Sequence, residues 1–169
     1  AADHHHAEDV RRRARDLAPV RLVAGDEEKG FSDVVLDDMV SYESEYQRNT
    51  AIVVTVLTDK QGGAVRITDF APRYANFGRT YRPPQLVRIV EPIAGLPRIT
   101  IRVRPTHSYG VPITQRSSGS NHIRYWANDT IIRLTTDAPV SYIESEAPFV
   151  LTRPVNLVLG NEPSGDRQW

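Results

Sequence analysis

The sequence contains no cysteine, which excludes disulfide bonds, thiolate nucleophiles and cysteine-ligated zinc. It also lacks an excess of charge, because 21 basic residues balance 21 acidic ones. A balanced chain has no long-range field that would gather nucleic acid or an anionic membrane surface. No apolar run approaches the roughly 20 residues that cross a bilayer, and no signal-peptide core is present. We therefore expect a cytoplasmic protein with neither nucleic-acid nor membrane partners.

Three short segments alternate apolar with polar or charged residues: Val65–Phe70, Leu86–Glu91 and Ile99–Arg104. Alternation with a period of two is typical of a strand with one dry and one wet face. Pro92 and the stretch Ala94–Pro97 separate the second segment from the third by only a few residues. This spacing predicts that these two strands pair as a hairpin, or lie as near neighbours, in an antiparallel sheet.

The segment from Tyr46 to Thr58 is rich in β-branched residues, which predicts one long central strand. Asp59–Gly63 supplies a turn whose glycines can adopt positive φ, so a hairpin to the strand that starts at Ala64 is expected. Gln115–Ser120 is expected to be a flexible turn. The remaining predicted strands are Phe31–Leu36, Asn121–Trp126, Thr130–Thr136, Val140–Ile143, Phe149–Leu151 and Val155–Leu159.

Length limits the number of domains, because 169 residues suffice for one sandwich but not for a sandwich and a helical catalytic barrel. Residues 1–20 contain three consecutive histidines that resemble a purification tag, followed by an acid-then-arginine stretch that suits a short surface helix or a frayed tail. We assign residues 21–160 to the sandwich domain. Residues 161–169 are rich in turn formers and resemble a linker.

The connection from Ala71 to Gln85 is longer than the two to five residues of most hairpin loops. Aromatic rings interleaved with arginines can stack on sugars or pack against a protein. Three interpretations stay open: a loop folded over one end of the sandwich, a protein interface, or direct ligand contact. The candidate contact residues are Arg73, Tyr74, Phe77, Arg79, Tyr81 and Arg82 in this connection, and Trp126 further on.

Several phrases, in the same order, resemble the N-terminal β-sandwich domain of bacterial family 15 glycoside hydrolases, a group with glucoamylase-like, glucodextranase-like and trehalase-like members. The likeness runs from about Leu22 to about Gly160. It departs from the family at the N-terminus, where an aromatic-rich hairpin with a Trp and a Pro-Arg-Phe-Asp phrase is missing. The phrases are Gly25–Phe31, Arg48–Ile52, Val65–Arg73, Leu86–Pro92, Arg102–Pro105 with Tyr109–Gly110, Gly119–Tyr125 and Arg133–Tyr142.

The resemblance implies an all-β fold, a two-sheet antiparallel sandwich of the super-β-sandwich type. In the whole enzymes this domain packs against an (α/α)6 barrel that carries the catalytic glutamates. That barrel has no counterpart in this sequence, so the resemblance assigns no catalytic residue here. It implies a supporting role in a hydrolase of carbohydrate metabolism that acts on α-linked glucosides, such as trehalose or an oligosaccharide.

The residues themselves do not indicate catalysis. Glycoside hydrolysis needs two carboxyl groups that flank the bond, and no pair stands out among the 21 acids. His107 and His122 are expected to be structural, and no cofactor or metal site is expected because Gly25–Gly30 lacks the spacing of a calcium loop. The charged positions of the three alternating segments are expected on a solvated sheet face, namely Arg66, Arg88, Arg102 and Arg104.

Two other functions stay open beside the supporting domain. The first is a carbohydrate-binding module that holds glucan through Tyr74, Phe77, Tyr81 or Trp126. The second is a free-standing oligomerising scaffold. Loss of the family's first hairpin would leave a sheet edge exposed, and an exposed edge invites pairing with another chain. A homodimer through that edge is therefore a further hypothesis.

Overall fold

The computed structural model describes residues 31–72, 74–81, 85–107, 111–126 and 131–162. The predicted N-terminal helix or tail and residues 163–169 of the predicted linker lie outside these ranges. The described residues form fifteen strands and one short helix. In chain order the strands are β1 (Phe31–Leu36), β2 (Met39–Tyr46), β3 (Val53–Asp59), β4 (Ala64–Phe70), β5 (Tyr74–Asn76), β6 (Arg79–Tyr81), β7 (Gln85–Ala94), β8 (Arg98–Arg104), β9 (Thr106–His107), β10 (Val111–Pro112), β11 (Arg116–Ser118), β12 (His122–Trp126), β13 (Ile131–Thr136), β14 (Phe149–Val150) and β15 (Val155–Glu162), and the helix is α1 (Val140–Glu144).

Two antiparallel sheets make up the sandwich. The large sheet has eight strands in the order β11-β12-β13-β15-β7-β4-β3-β2, and the small sheet has three in the order β1-β8-β14. Two small hairpins, β5–β6 and β9–β10, stand apart from both sheets. The predicted all-β, two-sheet antiparallel sandwich is confirmed.

The apolar core lies between the two sheets. Val65 and Ile67 of β4 and Ile99 and Ile101 of β8 belong to one cluster, and each is at most 2% exposed. These alternating aliphatic side chains of both segments therefore face the interior, as the sequence predicts. Each such side chain stabilises the fold by roughly 1.5–3 kcal/mol relative to an exposed position.

The prediction that Arg88 lies on a solvated sheet face is wrong. Its side chain is 1% exposed, faces the core and donates two hydrogen bonds to Asp69, whose side chain is 7% exposed. Arg102 is half-buried and forms a bidentate pair with Asp33, whose side chain is 2% exposed. Buried charge is tolerated at both places because a carboxylate meets the guanidinium on the neighbouring strand. Arg66 and Arg104 are exposed, as predicted.

The predicted pairing of the second and third alternating segments is wrong. β7 lies between β15 and β4 in the large sheet, whereas β8 lies between β1 and β14 in the small one. The intervening residues carry the chain from one sheet to the other. Pro97 is buried at this crossing, and its carbonyl accepts a hydrogen bond of 2.9 Å from the Leu151 N–H. A short connection therefore spans the two layers instead of closing a hairpin.

The segment predicted as one strand from Tyr46 to Thr58 is broken by a turn. Tyr46 ends β2 and Val53 begins β3, which is the second strand from the edge of the large sheet. Asn49 has a φ of 60°, a conformation that Asn tolerates better than β-branched residues do. The Thr50 hydroxyl donates to the Gln47 carbonyl at 2.8 Å and fixes the turn. β-branched content predicted extended backbone here but could not reveal the break.

The predicted hairpin between β3 and β4 is confirmed. The buried Asp59 carboxylate accepts hydrogen bonds from the Gln61 and Gly63 N–H groups at 2.9 and 2.7 Å. Gly62 has a φ of 83°, as the turn requires. The other predicted strands are also found, with one exception described next.

Val140–Ile143 is part of helix α1 and not a strand. Pro139 precedes the helix with φ −61°, and Val140 and Ile143 bury the same side because they stand three residues apart. The predicted flexible turn at Gln115–Ser120 contains β11, which pairs with β12 at the edge of the large sheet. The first two residues of the predicted linker, Asn161 and Glu162, belong to β15.

Candidate interaction surface

The long connection between β4 and β7 contains a hairpin formed by β5 and β6. β5 and β6 pair from Tyr74 opposite Tyr81 to Asn76 opposite Arg79, with a two-residue turn between them. Phe77 and Gly78 form this turn with φ values of 47° and 74°. Two consecutive positive values suit the right-handed twist of a two-residue hairpin, although the conformation is unfavourable for Phe.

Phe77 projects its ring into solvent at the tip of this hairpin and is 99% exposed. Arg79 beside it is also exposed. Arg73 and Arg82 lie outside the described residues, as do the side chains of Tyr74 and Tyr81. The sequence therefore indicated an aromatic residue in this connection, and the structure exposes its ring. The sequence did not predict the hairpin that presents it.

The hairpin lies at the end of the sandwich that we call the loop end. Strands β2, β4, β8, β12 and β15 finish at this end, and β1, β3, β7 and β13 begin there, because neighbouring strands run antiparallel. The connections that carry β5–β6 and β9–β10 both leave from it. Large apolar side chains exposed at the loop end are Tyr46, Phe77, Val111 and Trp126.

The opposite end of the sandwich is closed mainly by short turns. It also exposes apolar side chains, but they lie on the turns themselves or next to them. These residues are Met39, Val40, Ile93 and Leu96. The loop end differs from it in two ways. Its connections are long, and it holds both Phe31, where β1 begins, and Glu162, where β15 ends.

Trp126 is the last residue of β12 and is 41% exposed. β13 and β15 separate β12 from β7, the strand that follows the Phe77 hairpin. The two predicted aromatic contacts therefore share the loop end but do not stand on neighbouring strands. They could touch a broad partner together more readily than a single sugar ring.

Ion pairs occupy several carboxylates on the surface. Two hydrogen bonds from Arg104 to Glu146, at 2.7 and 2.6 Å, lower the pKa of this glutamate. Arg124 does the same for Glu162 through bonds of 2.8 and 2.9 Å, and lowers the pKa of that group. A general acid of a glycosidase requires a raised pKa, so these shifts have the wrong direction for that role.

Histidine is the other residue type that commonly takes part in acid–base or metal chemistry. His122 Nδ1 lies 3.0 Å from the Asn121 side-chain oxygen on the surface of β12. Within the described ranges, no group of three or more His, Cys, Asp or Glu residues is arranged to hold a metal ion. The helix that the structure describes is too short to span a bilayer.

One surface was missed by the sequence reasoning. The face of the large sheet that points away from the small sheet, here called the outer face, was expected to be wet. Its middle instead carries six half-buried apolar side chains, which we call the apolar strip. They are Val54, Val56, Phe70, Val87, Ile89 and Val158. The signal was present in the runs Val53–Leu57 and Leu86–Val90, which are apolar on both alternating sets and so predict burial on both faces.

No family model, curated protein or solved structure matches the chain. The fold and this surface define a β-sandwich with an aromatic-tipped loop end and a partly apolar sheet face.

Proposed function

We propose that the chain is the non-catalytic N-terminal domain of a family 15 glycoside hydrolase, which supports an (α/α)6 catalytic barrel acting on α-linked glucosides. The sequence phrases that resemble this family support the proposal, and the two-sheet antiparallel sandwich is compatible with it. A cytoplasmic location is part of the proposal, with which the cysteine-free sequence agrees.

The Phe77 hairpin is the observation that carries the supporting role. A phenylalanine that is 99% exposed, in a turn with positive φ, contributes nothing to the core of the sandwich. Burial of the same ring against a partner would contribute roughly 1.5–3 kcal/mol. The hairpin stands at the loop end. Strand β15 also ends there, at Glu162, so a domain that followed it would lie next to the hairpin.

The carboxylates support a non-catalytic role for the described residues. The three buried aspartates, Asp33, Asp59 and Asp69, each accept hydrogen bonds from an arginine or from backbone N–H groups. Such partners hold the side chain in place. These three carboxylates are therefore engaged in holding the fold of the sandwich.

Extension of the chain to the natural end of its reading frame tests the proposal. We expect a helix-rich continuation of a few hundred residues, and glucose release from maltose, trehalose or dextran by the extended protein but not by the 169-residue chain. Phe77→Ala should lower the melting temperature of the extended protein and leave that of the 169-residue chain unchanged. Sugar cleavage by the pure 169-residue chain, or a continuation without a helical domain, would contradict the proposal.

A carbohydrate-binding module is the second candidate, favoured by the exposed rings of Phe77 and Trp126. Aromatic faces of this kind offer large, rigid contact area. Titration of the chain with maltose, trehalose and dextran, followed by tryptophan fluorescence, separates the candidates. A saturable signal that Phe77→Ala or Trp126→Ala abolishes would favour the module, and a flat response would favour the supporting domain.

A further inference from the structure

The large sheet ends in one long strand, β2. This strand pairs with β3 on one side, and no described strand pairs with its other side, which we call the β2 edge. All residues of β2 except Tyr42 are exposed. The other edge strands are either short, with three residues in β11 and two in β14, or largely buried, as β1 is. A long exposed edge is the usual place where another extended chain adds to a sheet.

The ladder of hydrogen bonds shows which backbone groups face the β2 edge. In an antiparallel pair, residues that bond across the ladder alternate with residues whose N–H and C=O groups point away. The Gln47 N–H donates to the Ile52 carbonyl at 2.8 Å, and this bond continues the register between β2 and β3. Every second residue before Gln47 therefore bonds to β3. The N–H and C=O groups of Ser44 and Tyr46 point towards the β2 edge instead, where they can bond a strand laid alongside.

Two glutamates of β2 differ from the other described glutamates. Glu43 and Glu45 are exposed and form no ion pair within the described residues, although they stand only two residues apart on the outer face. Their Cα atoms are about 7 Å apart at the usual rise of a strand. A strand added at the β2 edge would therefore meet two uncompensated negative charges. Every other described glutamate pairs with an arginine, namely Glu91, Glu144, Glu146 and Glu162.

These two features together specify the chemistry of an added strand. An antiparallel strand that bonds to Ser44 and Tyr46 places two of its alternate residues directly opposite Glu43 and Glu45. Opposed side chains come closest at such positions, because no cross-strand hydrogen bonds separate them. Basic side chains there would complete two ion pairs on the outer face. On the other face, β-branched residues of the added strand would pack beside the Tyr46 ring, which is 73% exposed.

A second copy of β2 suits this edge less well. In an antiparallel pair of β2 strands centred on Ser44, Glu43 of one copy lies opposite Glu45 of the other. Like charges directly across a sheet are destabilising. β2 contains no basic residue that would offset this repulsion. The charges therefore favour a basic partner over a copy of the same strand.

We propose that the β2 edge binds an extended segment of a partner protein as an added antiparallel strand, whose basic side chains, two residues apart, pair with Glu43 and Glu45. This goes beyond the supporting role proposed above and does not depend on it, because the Phe77 hairpin lies between β4 and β7 and takes no part in the contact.

Fluorescence anisotropy with a short labelled peptide of alternating lysine and valine tests the proposal. We expect saturable binding to the 169-residue chain that weakens as sodium chloride is added. The same peptide with glutamate in place of lysine should bind at least about 10-fold more weakly, because like charges then meet. A lysine peptide N-methylated at the amides that face β2 keeps its charge but loses backbone donors, and it should bind about 10-fold more weakly. Absence of saturable binding, or equal binding of the N-methylated peptide, would overturn the proposal.

Charge reversal on β2 provides a test from the side of the protein. The double variant Glu43→Lys/Glu45→Lys should bind the lysine peptide at least about 10-fold more weakly and gain affinity for the glutamate peptide. Both positions are exposed, so circular dichroism should show unchanged strand content. Glu91→Gln is the control, since Glu91 lies on the same face but on β7, and it should leave both affinities nearly unchanged. A double variant with the peptide preference of the natural chain would contradict the proposal.

Amide hydrogen exchange maps the contact residue by residue. At saturation the lysine peptide should slow exchange at the Ser44 and Tyr46 N–H groups by about 10-fold or more. Exchange at Glu43 and Glu45 should change little, because their N–H groups already bond to β3. Protection at other residues without these two would assign the peptide to another surface and overturn the proposal.

The same measurement without peptide distinguishes other occupants of the edge. The Ser44 and Tyr46 amides should exchange rapidly in the chain alone at every protein concentration. Protection that grows with concentration would overturn the proposal in favour of a second copy. Protection that is lost in the variant Arg11→Glu/Arg13→Glu/Arg15→Glu would overturn it in favour of the arginine-rich segment of the chain itself.

Discussion

Arg88 and Asp69 lie directly opposite each other on β7 and β4 and form a closed pair in the interior of the sandwich. Arg88 Nε donates to Asp69 Oδ1 at 2.6 Å, and Nη2 donates to Oδ2 at 3.0 Å. Arg88 Nη1 also donates to the Ser32 carbonyl of β1 at 3.3 Å. One guanidinium therefore bridges the large sheet to the small one.

Removal of one partner of this pair should be strongly destabilising. Arg88→Met leaves the Asp69 carboxylate buried without its counter-charge, and we expect a loss of about 3–5 kcal/mol in the free energy of unfolding. The double variant Arg88→Met/Asp69→Leu removes both charges and should recover a large part of that loss. Urea unfolding followed by circular dichroism measures both values.

A matched control for this prediction lies on the same two strands. Arg66 and Glu91 pair at 3.3 Å on the outer face, where the Arg66 side chain is 45% exposed. Arg66→Met should cost at most about 1 kcal/mol, because solvent screens the pair. Equal losses for Arg66→Met and Arg88→Met would show that burial does not set the strength of these pairs.

Arg88 also shows why the sequence could not assign every face of the sheets. In Leu86–Glu91 both alternating sets contain apolar residues, so the pattern allows either set to face the core. A shift of one residue reverses the face of every side chain. The charge of Arg88 suggested the solvated side, and only the position of Asp69 on the neighbouring strand shows that it is satisfied inside. The β4 and β8 segments were predicted correctly because Val65 and Ile67 in β4, like the apolar residues of β8, fall on one set. Only Phe70, the last residue of β4, falls on the other set.

Connections were harder to predict than strands. A short stretch with Gly95 and Pro97 can close a hairpin or cross between layers, and the difference depends on which strands pair over a long separation in the chain. The contact between Gly95 and Gly63 marks the crossing, but nothing local in the sequence reveals it. For the candidate surface, aromatic and arginine content indicated the Phe77 region, whereas the outer face required the register of four strands.

Gly62 and Gly95 both have positive φ but differ in the space around them. A comparison of the two separates the cost of backbone strain from the cost of a steric clash. Gly62 has a φ of 83° and open space where a Cβ would stand, whereas Gly95 has a φ of 59° and would place a Cβ 2.9 Å from the Gly63 Cα. Gly62→Ala should cost on the order of 1 kcal/mol from backbone strain alone. Gly95→Ala should cost clearly more, since backbone must also move. Thermal and urea unfolding of both variants give the comparison, and equal losses would contradict it.

Acid should weaken the fold partly through Glu146. Hydrogen bonds from Arg104 hold the pKa of Glu146 below its ordinary value of 4.5. A depressed pKa stabilises the folded state above pH 4.5, and this contribution is lost as the pH falls through the folded pKa. Glu146→Gln should therefore cost about 0.5–1 kcal/mol at pH 7, since the pair is partly exposed, and much less at pH 3. A difference between the two proteins that stays constant with pH would disprove this origin.

Alkali should weaken the fold through Tyr125, whose side chain packs in the core on β12. Burial raises the pKa of Tyr125 from 10.0 to about 12. Its phenol therefore stays neutral in the folded protein at a pH where the unfolded chain already ionises. The contribution is complete below pH 10 and is lost as the pH rises towards 12, because deprotonation then favours the unfolded state.

Tyr125→Phe keeps the ring and removes the ionisation, so it isolates this effect from the other alkaline titrations. Between pH 8 and pH 11 the unfolding free energy of the natural protein should fall by on the order of 1 kcal/mol more than that of the variant. Urea unfolding at the two pH values measures the difference. The other tyrosines, lysines and arginines titrate in both proteins and cancel. An identical fall in the two proteins would mean that the Tyr125 phenol ionises equally easily in the folded and unfolded states.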